Sequence, residues 1–144
     1  MNLDLFKQLL VAATAQSGLQ WEEDEKFNGN GCCLLTNFTL PRYYDDCSVQ
    51  LFAHEDCILM VFTLDRIVPS YDNLKLINDF NTNVSYLSAA IELKGRGEYF
   101  LTLKAPDLNV TDENDGVSWV GAVLNFILSD AVAPFLRPLT VITQ

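Results

Sequence analysis

Residues 32 to 64 carry three strand signatures in a row, and this run restricts the fold more than any other part of the chain. From Cys32 to Leu40, Cys32, Leu34, Thr36, Phe38 and Leu40 fall on one side at every second position. Ser48 to Ala53 repeats the pattern with Val49, Leu51 and Ala53, and Cys57 to Leu64 is apolar almost throughout. A period of two is the side-chain repeat of a strand, and the unbroken apolar run predicts a central strand covered on both faces. His54-Glu55-Asp56 has room only for a hairpin turn, while Pro41 to Asp46 makes a looser connection. Strands joined this closely pair antiparallel.

The flanking segments change period. Leu3, Phe6, Leu10 and Ala13 form a helical stripe with Leu5, Leu9 and Ala12 beside it, predicting a helix from about Leu3 to Gln16 closed by Ser17-Gly18. Asp4 offsets Lys7 ahead of this stretch, so it lacks the positive start of a cleaved signal and reads as an amphipathic helix. Ser70 caps a second helix, about Tyr71 to Asn81, carrying Leu74, Ile77 and Phe80. Two further strands, Tyr86 to Leu93 and Glu98 to Ala105, meet at Gly95-Arg96-Gly97. Their inward sets are Leu87, Ala89, Ile91, Leu93 and Leu101, Leu103, Ala105. Thr111 to Asp115 opens a last helix that runs through Val120, Leu124 and Ile127 to about Ala131, where Pro134 bends or ends it. The order α-β-β-β-α-β-β-α over residues 1–144 predicts a single α+β domain of two layers, an antiparallel sheet with its helices on one face.

Mass and charge narrow the function. A 16.2 kDa chain buries about 68% of its unfolded surface, enough for a core without disulfides or metal. Nine Lys and Arg against nineteen Asp and Glu give a net charge of −10, and the basic residues are scattered. Phosphate backbones and anionic lipid repel such a molecule, so neither nucleic acid nor membrane is expected as a partner. The longest apolar run, Val117 to Leu128, is interrupted by Ser118, Gly121 and Asn125 and falls short of a bilayer span. Cys32, Cys33, Cys47 and Cys57 contain no C-x-x-C. With His54 the only imidazole, a tetrahedral metal site would need every thiol or a carboxylate. Reduced core thiols in a cytoplasmic protein are the expectation, with no metal and no cofactor.

Motifs for nucleophilic, phosphate-loop, zinc-protease or EF-hand chemistry do not occur in the sequence. His54 beside Glu55 and Asp56 has the makings of a general base, but a solvated turn residue is the commoner use of that pattern. Glu22 to Glu25 offers charge for a cation or a basic peptide, or simply a solvated face. No catalytic residue is therefore assigned, and the chain is expected to be non-enzymatic.

Leu74-Lys75-Leu76-Ile77-Asn78-Asp79-Phe80-Asn81 is similar to the L-x-x-x-N-x-x-N helix of the class I type III secretion chaperones, the CesT-like family. Lys104-Ala105-Pro106-Asp107-Leu108-Asn109 stands where that family leaves its last strand, and Gly31 to Leu35 and Ile58 to Phe62 resemble its first and third strands. Tyr43 to Asp46 adds a loop, and Pro134 and Pro138 break the last helix, both departures from the pattern. The YbjN-like family shares the fold and the N-x-x-N helix. The resemblance implies a homodimer that keeps the N-terminal segment of a secreted effector extended, soluble and competent for secretion; the YbjN-like alternative implies a regulatory or accessory binding protein. Periodicity, independently of either family, selects Leu5, Leu9, Trp21, Phe38 and Phe52 for a client groove and Leu76, Phe80 and Tyr86 for a dimer seam.

Overall fold

The computed structural model describes residues 1–40, 44–129 and 132–139. Helix α1 spans Leu3–Thr14, a single 3-10 turn follows at Ala15–Ser17, and strand β1 is the pair Glu22–Glu23. Strands β2 (Cys32–Leu40), β3 (Tyr44–Ala53) and β4 (Cys57–Arg66) come next, then α2 (Tyr71–Asn83). Strands β5 (Ser88–Lys94), β6 (Glu98–Lys104) and β7 (Leu108–Asn109) precede α3 (Glu113–Ile127) and the short α4 (Ala133–Leu136). The predicted order therefore holds, with two-residue strands and a short last helix added to it.

Helices α1, α2 and α3 each start where a side chain takes up open N–H groups. Asn2 accepts from Leu5, Ser70 from Asn73, and Asp112 from both Asn114 and Asp115. Gly18, at φ 74°, ends the first helical segment in the left-handed conformation expected of Ser17-Gly18. Gly31, at φ 86°, is required twice over, because a Cβ there would also press on the Ala53 carbonyl.

The sheet runs β1-β2-β3-β4-β6-β5, with β7 continuing the pairing along β4 beyond β6. All the pairings are antiparallel, and β3–β4 closes on Ala53↔Ile58 through the expected hairpin. Cys47, Val49 and Leu51 of β3 and Ile58, Met60, Phe62 and Leu64 of β4 are at most 1% exposed. They meet Phe6 and Leu10 of α1, Ile77 and Phe80 of α2, and Val120, Leu124 and Ile127 of α3 in one core. Helices α1 and α3 lie side by side and run the same way. The Asn2 N–H donates to Glu113 Oε1 at 2.6 Å at their starts, and Ser17–Leu19 faces Leu124–Leu128 at their ends.

Four expectations are corrected. Tyr44 to Asp46 belong to strand β3, paired from Leu40↔Tyr44 onward, and not to a loop or looser connection. Strand β4 is central but covered on one face only, because no helix lies against its odd positions; Cys57, Leu59, Val61 and Thr63 are half-buried. Leu93 is 60% exposed, since the β5–β6 hairpin carries the pair Leu93↔Tyr99 past the helix layer. Helix α3 ends at Ile127 instead of continuing to about Ala131, which itself lies outside the described residues. Pro134 then sits in the first turn of α4, where a missing N–H costs nothing.

Phe80 is 2% exposed and meets Phe135 edge-on at 6.0 Å, so Phe80→Ala will lower the stability by about 3–5 kcal/mol in urea unfolding. The buried Thr36 hydroxyl has no hydrogen-bond partner, so Thr36→Val will be neutral or stabilising by about 1 kcal/mol in the same measurement. A clear loss on Thr36→Val would mean that the hydroxyl is satisfied.

Candidate functional site

Strand β1 covers the outer side of β2 only opposite Leu34 and Leu35. Among the described residues no strand lies beside β2 beyond Leu35 on that side. Next to this open edge is a groove of about 400 Å³ between the end of α1, the edge of β2 and the end of α3. Leu19, Phe38, Leu124 and Leu128 give it an apolar wall, and Leu128 is 54% exposed. A strand edge with no strand beside it and a groove next to it is the geometry that accepts an extended peptide: backbone groups pair and alternate side chains are seated.

The helix-free face of the sheet is the second surface. Strand register places Cys33, Phe52 and Leu59 in one row across it, Leu35, Gln50 and Val61 in the next, and Asn37, Ser48, Thr63 and Thr102 in a third. Phe27, from the loop before β2, leans over the first row with its ring 5.7 Å from Phe52. The other end opens into a cleft of about 930 Å³ with Asn37, Ser48, Gln50 and Thr63 in its lining and Lys94, Arg96, Glu98 and Glu22 around them. Lys94 reaches across the sheet to donate to Thr63 Oγ1 at 3.0 Å. Both surfaces are mixed, since Ser17, Thr39 and Asn125 stand beside the apolar residues of the groove; the helix-free cleft differs in carrying charged side chains.

The residues selected for a client groove do not all come together. Phe38 lies on the helix side of the sheet, edge-on to Phe62 at 5.8 Å, and lines the β2 groove. Phe52 lies on the opposite face. Alternation along paired strands separates the two, because Phe38 is opposite Cys47 while Phe52 is opposite Cys33. Leu5 is 42% exposed and Leu9 half-buried, one turn apart on α1. Trp21 is half-buried and tied back to the helix by its Nε1–H, which donates to Thr14 Oγ1 at 3.0 Å. For the seam, Leu76 is half-buried and Tyr86 is 69% exposed against Phe126, whereas Phe80 belongs to the core. The groove residues that the sequence did not single out, Leu19, Leu124 and Leu128, read there as helix-stripe or connecting residues.

The β3–β4 turn gathers a third group. His54 Nδ1 is 3.0 Å from Asp56 Oδ1, and the Cys57 sulfur completes a set whose ligand atoms lie within 4.8 Å of one another. The sequence placed no nucleophile near His54, because the turn itself brings Cys57 across: the His54 N–H donates to the Cys57 carbonyl at 2.8 Å. Burial first, then the carboxylates of Asp56 and Asp107, push the Cys57 thiol above its usual range. A nucleophilic cysteine needs the opposite shift, so this arrangement disfavours thiolate catalysis. In the acidic run, Glu23 pairs with Lys7 at 3.2 Å, while Glu22 and Glu25 are exposed.

No protein-family model matches the sequence, and no curated protein matches it. Among solved structures the chain is similar to the crystal structure of YbjN from E. coli, a proposed transcription regulator, with a TM-score of 0.64 and 12% identity. The likeness covers 99% of this chain and 97% of that chain. The fold is YbjN-like, and at this identity the likeness is one of fold alone.

Cys32, Cys33 and Cys47 are at most 6% exposed, whereas Cys57 is half-buried. Iodoacetamide will therefore alkylate Cys57 in the native protein and the other three only on unfolding. The rate will climb about tenfold per pH unit up to the raised thiol pKa, since only the thiolate reacts. First labelling at Cys33, read by peptide mass, would contradict this placement.

Proposed function

We propose that the chain is a non-enzymatic, cytoplasmic binding module that takes an extended protein segment along the open edge of β2. The observation that carries this reading is that no described strand lies beside β2 beyond Leu35, where Leu19, Phe38, Leu124 and Leu128 line the adjacent groove. Binding is at equilibrium, as a nucleotide-binding motif is absent from the sequence. The net charge of −10 keeps an apolar groove soluble and favours basic segments. In the secretion reading, supported by the similarity of the Leu74–Asn81 helix to the CesT-like pattern, the segment is the N-terminal part of a type III secreted effector. The functional unit is then a homodimer, with Tyr86 and the outer face of α2, where Leu74 is 52% exposed, as the seam.

The YbjN-like fold favours a second reading, an accessory or regulatory protein not tied to secretion. A chain this acidic does not hold DNA by its phosphates, so such a regulator would act through a protein partner.

A photo-crosslinker at the exposed Asn125 in the groove wall, or at Gln50 on the helix-free face, separates the two in the native host. The secretion reading expects capture at Asn125 of one protein through its N-terminal segment. Leu128→Asp should weaken that capture roughly tenfold or more, the worth of one buried leucine. Capture at Gln50 of a folded partner, unaffected by Leu128→Asp, would overturn it in favour of the regulatory reading. For the seam, Tyr86→Asp should halve the mass in light scattering, and an unchanged dimer would remove Tyr86 from it.

A further inference from the structure

We propose that His54, Asp56 and Cys57 in the β3–β4 turn form a binding site for a borderline transition-metal dication of the zinc class. The three offer an imidazole nitrogen, a carboxylate oxygen and a sulfur, with ligand atoms within 4.8 Å of one another and His54 Nδ1 already 3.0 Å from Asp56 Oδ1. Zinc–ligand bonds of ordinary length set tetrahedral ligands roughly 3.4–3.6 Å apart, a spacing that lies between the 3.0 Å of the His54–Asp56 contact and the 4.8 Å limit of the set. Mixed nitrogen, oxygen and sulfur donors select zinc, cobalt or nickel over magnesium and calcium, which take oxygen.

The backbone that presents these groups is held independently of any ion. The His54 N–H donates to the Cys57 carbonyl and the Val110 N–H to the Asp56 carbonyl, each at 2.8 Å. Strand β7 pairs Asn109 opposite Cys57, which clamps the start of β4 from the other side. A turn tied at both ends presents its ligands with little ordering left for binding to supply. The Met1 ammonium donates to the Glu55 carbonyl of this turn at 2.7 Å but forms no ion pair with Asp56 or Asp107 among the described residues. Asp107 stands near enough to act on Cys57 as well as Asp56 does, and among the described residues no lysine or arginine forms an ion pair with Asp56 or Asp107. A dication supplies the missing positive charge. Three protein ligands leave a fourth position to water, since the His54 side chain is 38% exposed and the turn faces solvent.

Two features of the chain make the test clean. His54 is the only histidine, and the other three cysteines are buried in the core. Reduced protein is titrated with cobalt(II) under anaerobic conditions and followed in the near-ultraviolet and visible. One equivalent should bind with a thiolate-to-cobalt charge-transfer band, displaced by zinc(II) and unaffected by excess magnesium. Cys57→Ser should abolish the band, and His54→Ala should weaken binding by at least about tenfold. Both side chains are only half-buried, so both variants should keep the wild-type circular dichroism. Binding without the band, a band that survives Cys57→Ser, or no binding at all would overturn the site. None of these outcomes depends on the peptide-binding reading.

Discussion

One-sided cover is the constraint from which the rest of this structure follows. The helices pack against one face of the sheet, so half of every long strand is buried and the other half keeps water near it. The covered side is filled by Phe6, Phe62, Phe80 and a close set of Leu, Ile and Val. The other side carries Leu35, Phe52, Leu59 and Val61 at intermediate exposure, softened by Phe27 at one end and by polar residues at the other. A sheet open on one face also has open edges, and the two are treated differently. On β5, Asn81 donates its amide to the Ala89 carbonyl at 2.9 Å and accepts the Ala89 N–H at 2.6 Å. That side chain takes the place of a neighbouring strand. On β2 the short β1 stops at Leu35, and the edge beyond it lies open beside the groove.

The Asn81 contact gives physical meaning to a motif that the sequence shows only as a spacing. Of Asn78 and Asn81, the second turns toward β5 and satisfies two backbone groups at once, while Asn78 stays exposed and lends its carbonyl to the Thr82 hydroxyl. A helix that must present one asparagine to a strand edge is fixed in rotation as well as position. Ile77 and Phe80 then necessarily point into the core.

Much of the fold was legible because it rests on period. Alternation located β2 to the residue, and the cap at Ser70 and the glycine at 18 set helix limits through backbone groups that must be satisfied, whereas within Thr111 to Asp115 only the structure singles out Asp112. What stayed hidden depends on contacts between distant segments. Strands β1 and β7 are two residues each and owe their form to pairing with β2 and β4, which no local pattern announces. Apolar residues in β4 predicted cover on both faces, but hydrophobicity records a preference for burial and does not reveal whether a helix is there to provide it. The groove was half legible. Phe38 follows from alternation, whereas Leu19 and Leu128 join it only because α1 and α3 end side by side. The turn cluster was hidden by register: the hairpin at His54 to Asp56 was legible, but the sequence did not show that it closes on Ala53↔Ile58 and so sets His54 opposite Cys57.

The two readings of function place different demands on the same molecule. A segment held extended has lost its own hydrogen-bond partners, so it is best received along a strand edge that no other described strand covers, and β2 beyond Leu35 offers one. A folded partner brings its own satisfied backbone and presents side chains, for which the broad, mixed face around Gln50, Thr63 and Lys94 is the better match. Negative charge serves both, since it repels nucleic acid and draws basic polypeptide. The distinction between holding a client unfolded and docking a folded protein therefore comes down to which side of Phe38 the partner meets: the open edge with its apolar wall, or the far face of the sheet.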